Sequence, residues 1–331
     1  MKLVKPSYFD SFRCIAGLCP DSCCKEWDVL IDPDKAAVYR SLPGALGDRL
    51  RQVLTEEDGQ TYMLIENRRC PMWREDGLCR IQAELGESAL CKTCREFPRL
   101  THDYGNFVEM GLELSCPEAA RIIFESGYPT FIAVDISCGE EPEYDEDAMS
   151  ILLRTRAHMR RLLTDDSRSV GETLAIALMY GYHVQSELDG AEEASFDSDA
   201  ALESAQHFAR PGDVSAILEF FKELEILTDN WASKLDRPAP GSWSPSHRIL
   251  AHYFVDRYWL QAVSDYDLIG RVKLMVISCL AIKALGGDII TTAQQYSKEI
   301  ENSIDNLEAI LDGAYSVPAF TDDRLLGLLL F

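Results

Sequence analysis

The sequence predicts a mainly α protein in two parts. A cysteine-rich, metal-binding N-terminal segment of short strands and helices precedes an all-α helical bundle. Three observations predict this. Nine of the eleven cysteines lie at or before Cys116. Hydrophobic residues recur at helical spacing through most of the chain after Asp147. Between these regions, Gly139 to Asp147 is acidic and contains a proline, which reads as a connector. The expected domains are residues 1–138 and 139–331.

In the first part, four cysteines fall at Cys14, Cys19, Cys23 and Cys24. Residues 27–32 alternate as a short strand. Asp32-Pro33 then opens a helix, with the acid as cap and proline at the first helical position. Its apolar residues are Ala37, Val38 and Leu42, before Pro43-Gly44 interrupts. Tyr62 to Ile65 reads as a second strand. Asp76-Gly77 is a turn signal that sets Cys70 and Cys79 facing each other across a hairpin-like loop. Residues 80–85 form a short helix closed by Gly86. Phe107 to Leu114 reads as a strand, and Ser115 or Cys116 caps a helix through Ala119, Ile122 and Ile123.

The second part carries helical patterns over 148–164 and 171–187, an acidic small-residue loop over 190–199, and a helix over 213–235. Residues 237–241 break the chain. Further helices begin at Ser246, span 266–285, and run from about Thr292 to Leu311. No repeat of 20–50 residues is visible.

Charge narrows the function classes. The net charge is −23. Residues 1–120 hold 15 basic and 20 acidic residues, and the remainder holds 17 and 35. Such a body repels phosphates, which argues against nucleic-acid binding. A basic partner is the better fit, with simple solubility the plainer expectation. Leu274 to Ile282, the most apolar run, is nine residues long and too short to span a bilayer, which needs about 20. The N-terminus lacks an apolar export region, so a cytoplasmic location is expected, with no membrane partner.

In a reducing compartment, clustered thiols read as metal ligands or redox groups rather than disulfides. Thiolates suit zinc or iron–sulfur clusters, and each such centre takes about four. The nine clustered thiols are enough for two centres with one to spare. Their spacing does not choose between the metals. Cys138 and Cys279 read as non-ligands. Cys91-x2-Cys94 has redox-pair spacing, but no βαβ pattern surrounds it. No Gly-x-Gly-x-x-Gly, His-Glu-x-x-His or Gly-x-Ser-x-Gly occurs. His247 and His252 read as satisfied polar residues on a helix.

These blocks also carry a resemblance. Cys14-x4-Cys19-Pro20-Asp21-Ser22-Cys23-Cys24-x2-Trp27-x4-Asp32 resembles the opening of the flagellin lysine-N-methylase family, part of a broader group of zinc- or iron-chelating cysteine clusters. The likeness continues through Cys70-Pro71-Met72-Trp73 and Gly77-Leu78-Cys79 to Gly86. It extends through Leu90-x2-Thr93-Cys94-x2-Phe97-Pro98-Arg99 and Ser115-Cys116-Pro117-Glu118-Ala119-Ala120. It covers about 110 residues in order.

The resemblance implies methyl transfer from S-adenosylmethionine to lysine amines of a protein substrate, flagellin in the family, with an iron–sulfur centre of the 4Fe-4S type. Carried over by position, the metal ligands are Cys14, Cys19, Cys23, Cys24, Cys70, Cys79, Cys94 and Cys116. Cys91 departs from the family pattern and is the spare. Trp27, Trp73 and Phe97 are candidates to line a lysine channel, though core packing is the simpler expectation. The alternative function is a non-catalytic zinc- or iron–sulfur-binding structural or electron-transfer protein. No donor pocket and no catalytic base can be named from the sequence.

Overall fold

The structure, a computed structural model, describes residues 1–23, 29–66, 69–136 and 141–331. Cys24, Trp27 and Cys138 lie outside the described residues, and with them the start of the strand expected from residue 27. The N-terminal third runs β1 (Lys2–Pro6), β2 (Val29–Ile31), α1 (Pro33–Ser41), α2 (Gly44–Val53), β3 (Leu54–Glu57) and β4 (Gln60–Met63). It continues through α3 (Arg80–Leu85), α4 (Lys92–Glu96), β5 (Arg99–Asp103), β6 (Phe107–Leu112), α5 (Pro117–Ser126) and β7 (Phe131–Asp135).

Local chemistry explains these elements. The Asp32 carboxylate accepts the Lys35 amide and caps α1, whose first residue is Pro33. The helix buries Ala36 and Tyr39 rather than the expected Ala37 and Val38, and Val38 is 48% exposed. Asp58-Gly59, both at positive φ, close the β3–β4 hairpin with Glu57 paired to Gln60. The strand expected over Tyr62–Ile65 is therefore Gln60–Met63, set back by the turn. Gly86, at φ +85°, ends α3 as expected.

Two sheets result. One has the order β2-β4-β3, all antiparallel. The other has the order β5-β6-β1-β7, with β1 parallel to β6 from Lys2↔Phe107 and antiparallel to β7 from Lys2↔Asp135.

The body comprises α6 (Glu146–Thr164), α7 (Val170–Leu188), α8 (Ser198–Phe208), α9 (Val214–Glu223), α10 (Asp229–Asp236) and α11 (Pro245–Tyr258). Then come α12 (Leu268–Leu285), α13 (Ile289–Ile300), α14 (Ile304–Ser316) and α15 (Asp322–Leu330). Helices expected to be single are split in two places. The 213–235 pattern becomes α9 and α10, because the Glu225 and Leu227 amides are taken by Asn306 and Glu299 and Thr228 caps α10. The 292–311 pattern becomes α13 and α14, with Ser303 capping α14. The loop over 190–199 ends early, where Asp197 caps α8.

The core has two centres. In the larger, α12 is buried at every position except Arg271 and Lys283, and α7, α11, α13 and α14 pack around it. Cys279 lies there, wholly buried, as a packed cysteine should. This core also takes in Phe9, Phe12, Leu112, Cys116 and the apolar face of α5. The smaller centre joins α1, α2, α3 and the three-stranded sheet through Val29, Tyr39, Leu50, Met63, Met72 and Ile81. Among the described residues, no helix is long and apolar enough to cross a membrane.

Candidate metal centre

Four short segments carry the clustered thiols. The first leaves the buried Phe12, turns at Ala16–Leu18, and runs to Cys23. Its turn is pinned by sulfur. The Cys14 Sγ accepts the Ala16 amide at 3.4 Å, and the Cys19 thiol donates to the Asp21 carbonyl at 3.1 Å. The Asp21 carboxylate reaches the body, where it meets the Lys298 ammonium at 3.0 Å and accepts from Gln294 at 3.0 Å.

The second segment is the loop foreseen around Asp76-Gly77. Its strands are joined by Arg74 N to Leu78 O at 2.9 Å and Arg80 N to Met72 O at 2.7 Å, and Trp73 bridges Cys79. Cys79 stands at the start of α3. The third segment places Cys91 at the start of α4. This helix is held by Asp32, which accepts the Lys92 amide at 2.6 Å, and by Thr93, which donates to the Leu30 carbonyl at 2.8 Å. The fourth is Cys116 at the start of α5, as anticipated.

All four segments open onto one cavity of about 390 Å³ between the smaller core and the helical body. Cys14, Cys19, Cys23, Cys70, Cys79, Cys94 and Cys116 line it, which is every expected ligand within the described residues. Cys91, set aside as the spare, lines it too. Cys70, Cys91 and Cys116 are buried, whereas Cys14 and Cys23 are exposed. The described cysteines are thiols rather than half-cystines.

The electrostatics sort these thiols into two neighbourhoods. Burial pushes the Cys116 thiol up to about 11, with nearby Cys19 and Cys14 raising it further. Cys19 is likewise raised, mainly by burial. On the other side, burial raises the Tyr39 hydroxyl, and Cys91, Cys94 and Cys79 raise it further. A hydrogen bond from the Cys94 thiol holds Cys91 below the ordinary thiol range. Among the described residues, no three candidate donors already stand together in the geometry of a bound metal. The donor chemistry nevertheless fits a thiophilic metal. The candidate donors are soft sulfur, Arg13, Arg95, Arg99 and Lys298 line the cavity with them, and Ile31, Met63, Leu90 and Phe97 supply apolar wall.

Of the aromatic candidates, Phe97 lines the cavity. Trp73 is not among the lining residues; the Arg69 guanidinium lies 4.4 Å from its ring centroid. His247 and His252 are engaged with Ser244 and Asp256, as read from the sequence. A second cavity of about 470 Å³ lies behind Asp21, Gln294 and Lys298, and is completed by Thr228, Asp229 and Thr291. Sequence reasoning missed this wall. Its only signal is Gln294 and Lys298 one helical turn apart.

A helical body closed over a thiol-lined cavity defines a cysteine-cluster protein. Comparison with known sequences narrows the class. The chain is 33% identical to the flagellar biosynthetic protein FliU of Salmonella muenchen over 128 residues, 37% of this chain and 76% of that protein. It is 32% identical over 128 residues to lysine-N-methylases of Salmonella typhimurium and Salmonella choleraesuis, 37% of this chain and 32% of each. The chain belongs to the family of these proteins. It spans about a third of the length of the lysine-N-methylases it matches. No protein-family model matches the chain, and no solved structure matches it.

Proposed function

We propose that the chain is an S-adenosylmethionine-dependent protein-lysine N-methyltransferase with a cysteine-ligated iron–sulfur centre. The observation that carries the reading is the convergence of the seven described family cysteines on one cavity. The names of its relatives support lysine methylation of a flagellar protein.

Cys14, Cys19, Cys23, Cys24, Cys70, Cys79, Cys94 and Cys116 would hold the centre, which supplies electron-transfer or Lewis-acid chemistry when bound. The chain's other residues prepare the amine. A lysine ammonium normally loses its proton only near pH ~10.4, and methylation needs the neutral amine. Glu87 lies on the cavity wall without an ion-pair partner among the described residues, so it can draw the ammonium in. Phe97, Leu90 and Ile31 then desolvate it, which favours the neutral form. The acidic body steers lysine-rich segments toward the chain.

A second reading has its own support. Cys70 and Cys91 belong to the smaller core, and Cys79 and Cys94 pack against it, as in a zinc-stapled fold. Anaerobic purification decides between the metals. Brown protein absorbing near 400 nm is expected, and colourless protein with stoichiometric zinc would sink the iron–sulfur assignment. Incubation with labelled S-adenosylmethionine and flagellin should label lysine. No transfer to any protein lysine would leave the structural role.

A further inference from the structure

We propose that Gln294 and Lys298 on α13 are positioning residues for the thiol site, locking the Cys19 and Cys116 segments at a fixed separation. The proposal rests on reading the cavity as a metal centre. Cys19 and Cys116 are 97 residues apart in the chain. Among the described residues, no strand pairing joins the two segments. The link is made by side chains from a third element.

The Gln294 amide is the clearest part of that link. Its Nε2 donates to the Asp21 Oδ2 at 3.0 Å and to the Ser115 carbonyl at 2.8 Å. The Asp21 backbone carbonyl accepts a hydrogen bond from the Cys19 thiol, and Ser115 immediately precedes Cys116. One amide group therefore spans both thiol segments. Lys298, one turn along, contacts both Asp21 oxygens at 3.0 Å. Its side chain is 7% exposed, so the attraction to Asp21 is weakly screened. Gln294 is buried as well.

A ligand set drawn from separate segments binds metal tightly only if those segments arrive in place. Groups that orient ligands commonly change metal affinity by roughly 10–100-fold when removed. Gln294 and Lys298 act through Asp21 and Ser115, the residues near Cys19 and beside Cys116, and supply no thiolate themselves. Lys298 also forms part of the partition between the two cavities, since it lines both together with Asp21 and Pro117. The sequence blocks hold Asp21 and Ser115, the two ends that Gln294 joins.

The test measures metal retention. The wild-type chain and the variants Lys298→Met, Lys298→Arg, Gln294→Met and Asp21→Asn are prepared anaerobically. Metal per chain, the cluster or thiolate-to-metal absorption band, and the rate of loss to a chelator are then recorded. Lys298→Met and Gln294→Met are expected to lose metal at least roughly ten-fold faster, with an altered band, while Lys298→Arg stays near wild type. Asp21→Asn keeps an acceptor for Gln294 and removes only the ion pair, so an intermediate rate is expected. It also serves as the test if a buried variant fails to fold. Folded Met variants that hold metal like the wild type would overturn the positioning role. A wild-type chain that binds no metal would instead overturn the reading beneath it.

Discussion

Arg257 and Glu301 form an ion pair, Nε to Oε1 at 3.0 Å, in which the carboxylate side chain is wholly buried. Tyr253 and Tyr258 donate their hydroxyls to the same carboxylate, at 3.0 and 2.7 Å. The pair sits immediately after α13 and anchors that helix to α11. Burying both charges is costly, so the pair adds little net stability, but stranding one partner is severe. Arg257→Met should therefore destabilise the fold by about 3–5 kcal/mol, measured by urea unfolding. A loss below about 1 kcal/mol would show that Glu301 reaches water.

Cys91 provides a second prediction. The resemblance made it the spare thiol, yet its side chain is buried in the cavity and takes a hydrogen bond from Cys94. Two thiols so placed enter the same neighbourhood of any bound metal. Cys91→Ser should lower metal content as much as Cys94→Ser does. Cys279→Ala, deep in α12, should leave it unchanged. Equal metal in Cys91→Ser and wild type would restore Cys91 to the role of spare.

His247 gives a pH dependence. Burial lowers its pKa to about 4, Lys283 adds to the shift, and the Ser244 hydrogen bond opposes it. The unfolded ring titrates near its ordinary value of about 6.5. Between those values the unfolded chain binds the extra proton, so stability rises with pH across the window. The contribution is whole above about 6.5 and is lost as pH falls toward about 4. Wild type should lose more thermal stability between pH 7 and pH 5 than His247→Gln. Parallel losses would assign the acid sensitivity to other groups.

Much of the site was legible in the sequence because thiols cluster for few reasons, and the signal is local. The caps of α1 and α5 and the turn at Asp76-Gly77 were legible for the same reason. Asp58-Gly59 was equally local, and it fixes a hairpin that hydrophobic alternation alone misplaced. What was not legible depends on partners distant in sequence. The strand at Lys2–Pro6 exists because Phe107–Leu112 and Phe131–Asp135 pair with it. The break before Asp229 exists because Asn306 and Glu299 take the freed amides. Nothing within Asp213–Leu235 records those partners.

Metal removal yields the last prediction, and it follows from the unequal size of the two cores. The smaller contains thirteen described buried residues, two of them Cys70 and Cys91. So small a core leaves little stability without a covalent or metal staple. Its thiol segments meet at the cavity, and the first is tied to the body through the Asp21–Lys298 contact. The larger core is built on α12 and the helices around it, and of the eleven cysteines Cys279 alone lies within α6–α15. A chelator should therefore loosen the N-terminal third while the body stays folded. Limited proteolysis of the stripped protein should cut first between residues 29 and 98, leaving a resistant fragment that contains α6–α15. Cys279 should stay shielded from alkylation while Cys70 and Cys91 become reactive. Uniform protection before and after stripping would mean that the smaller core stands without metal.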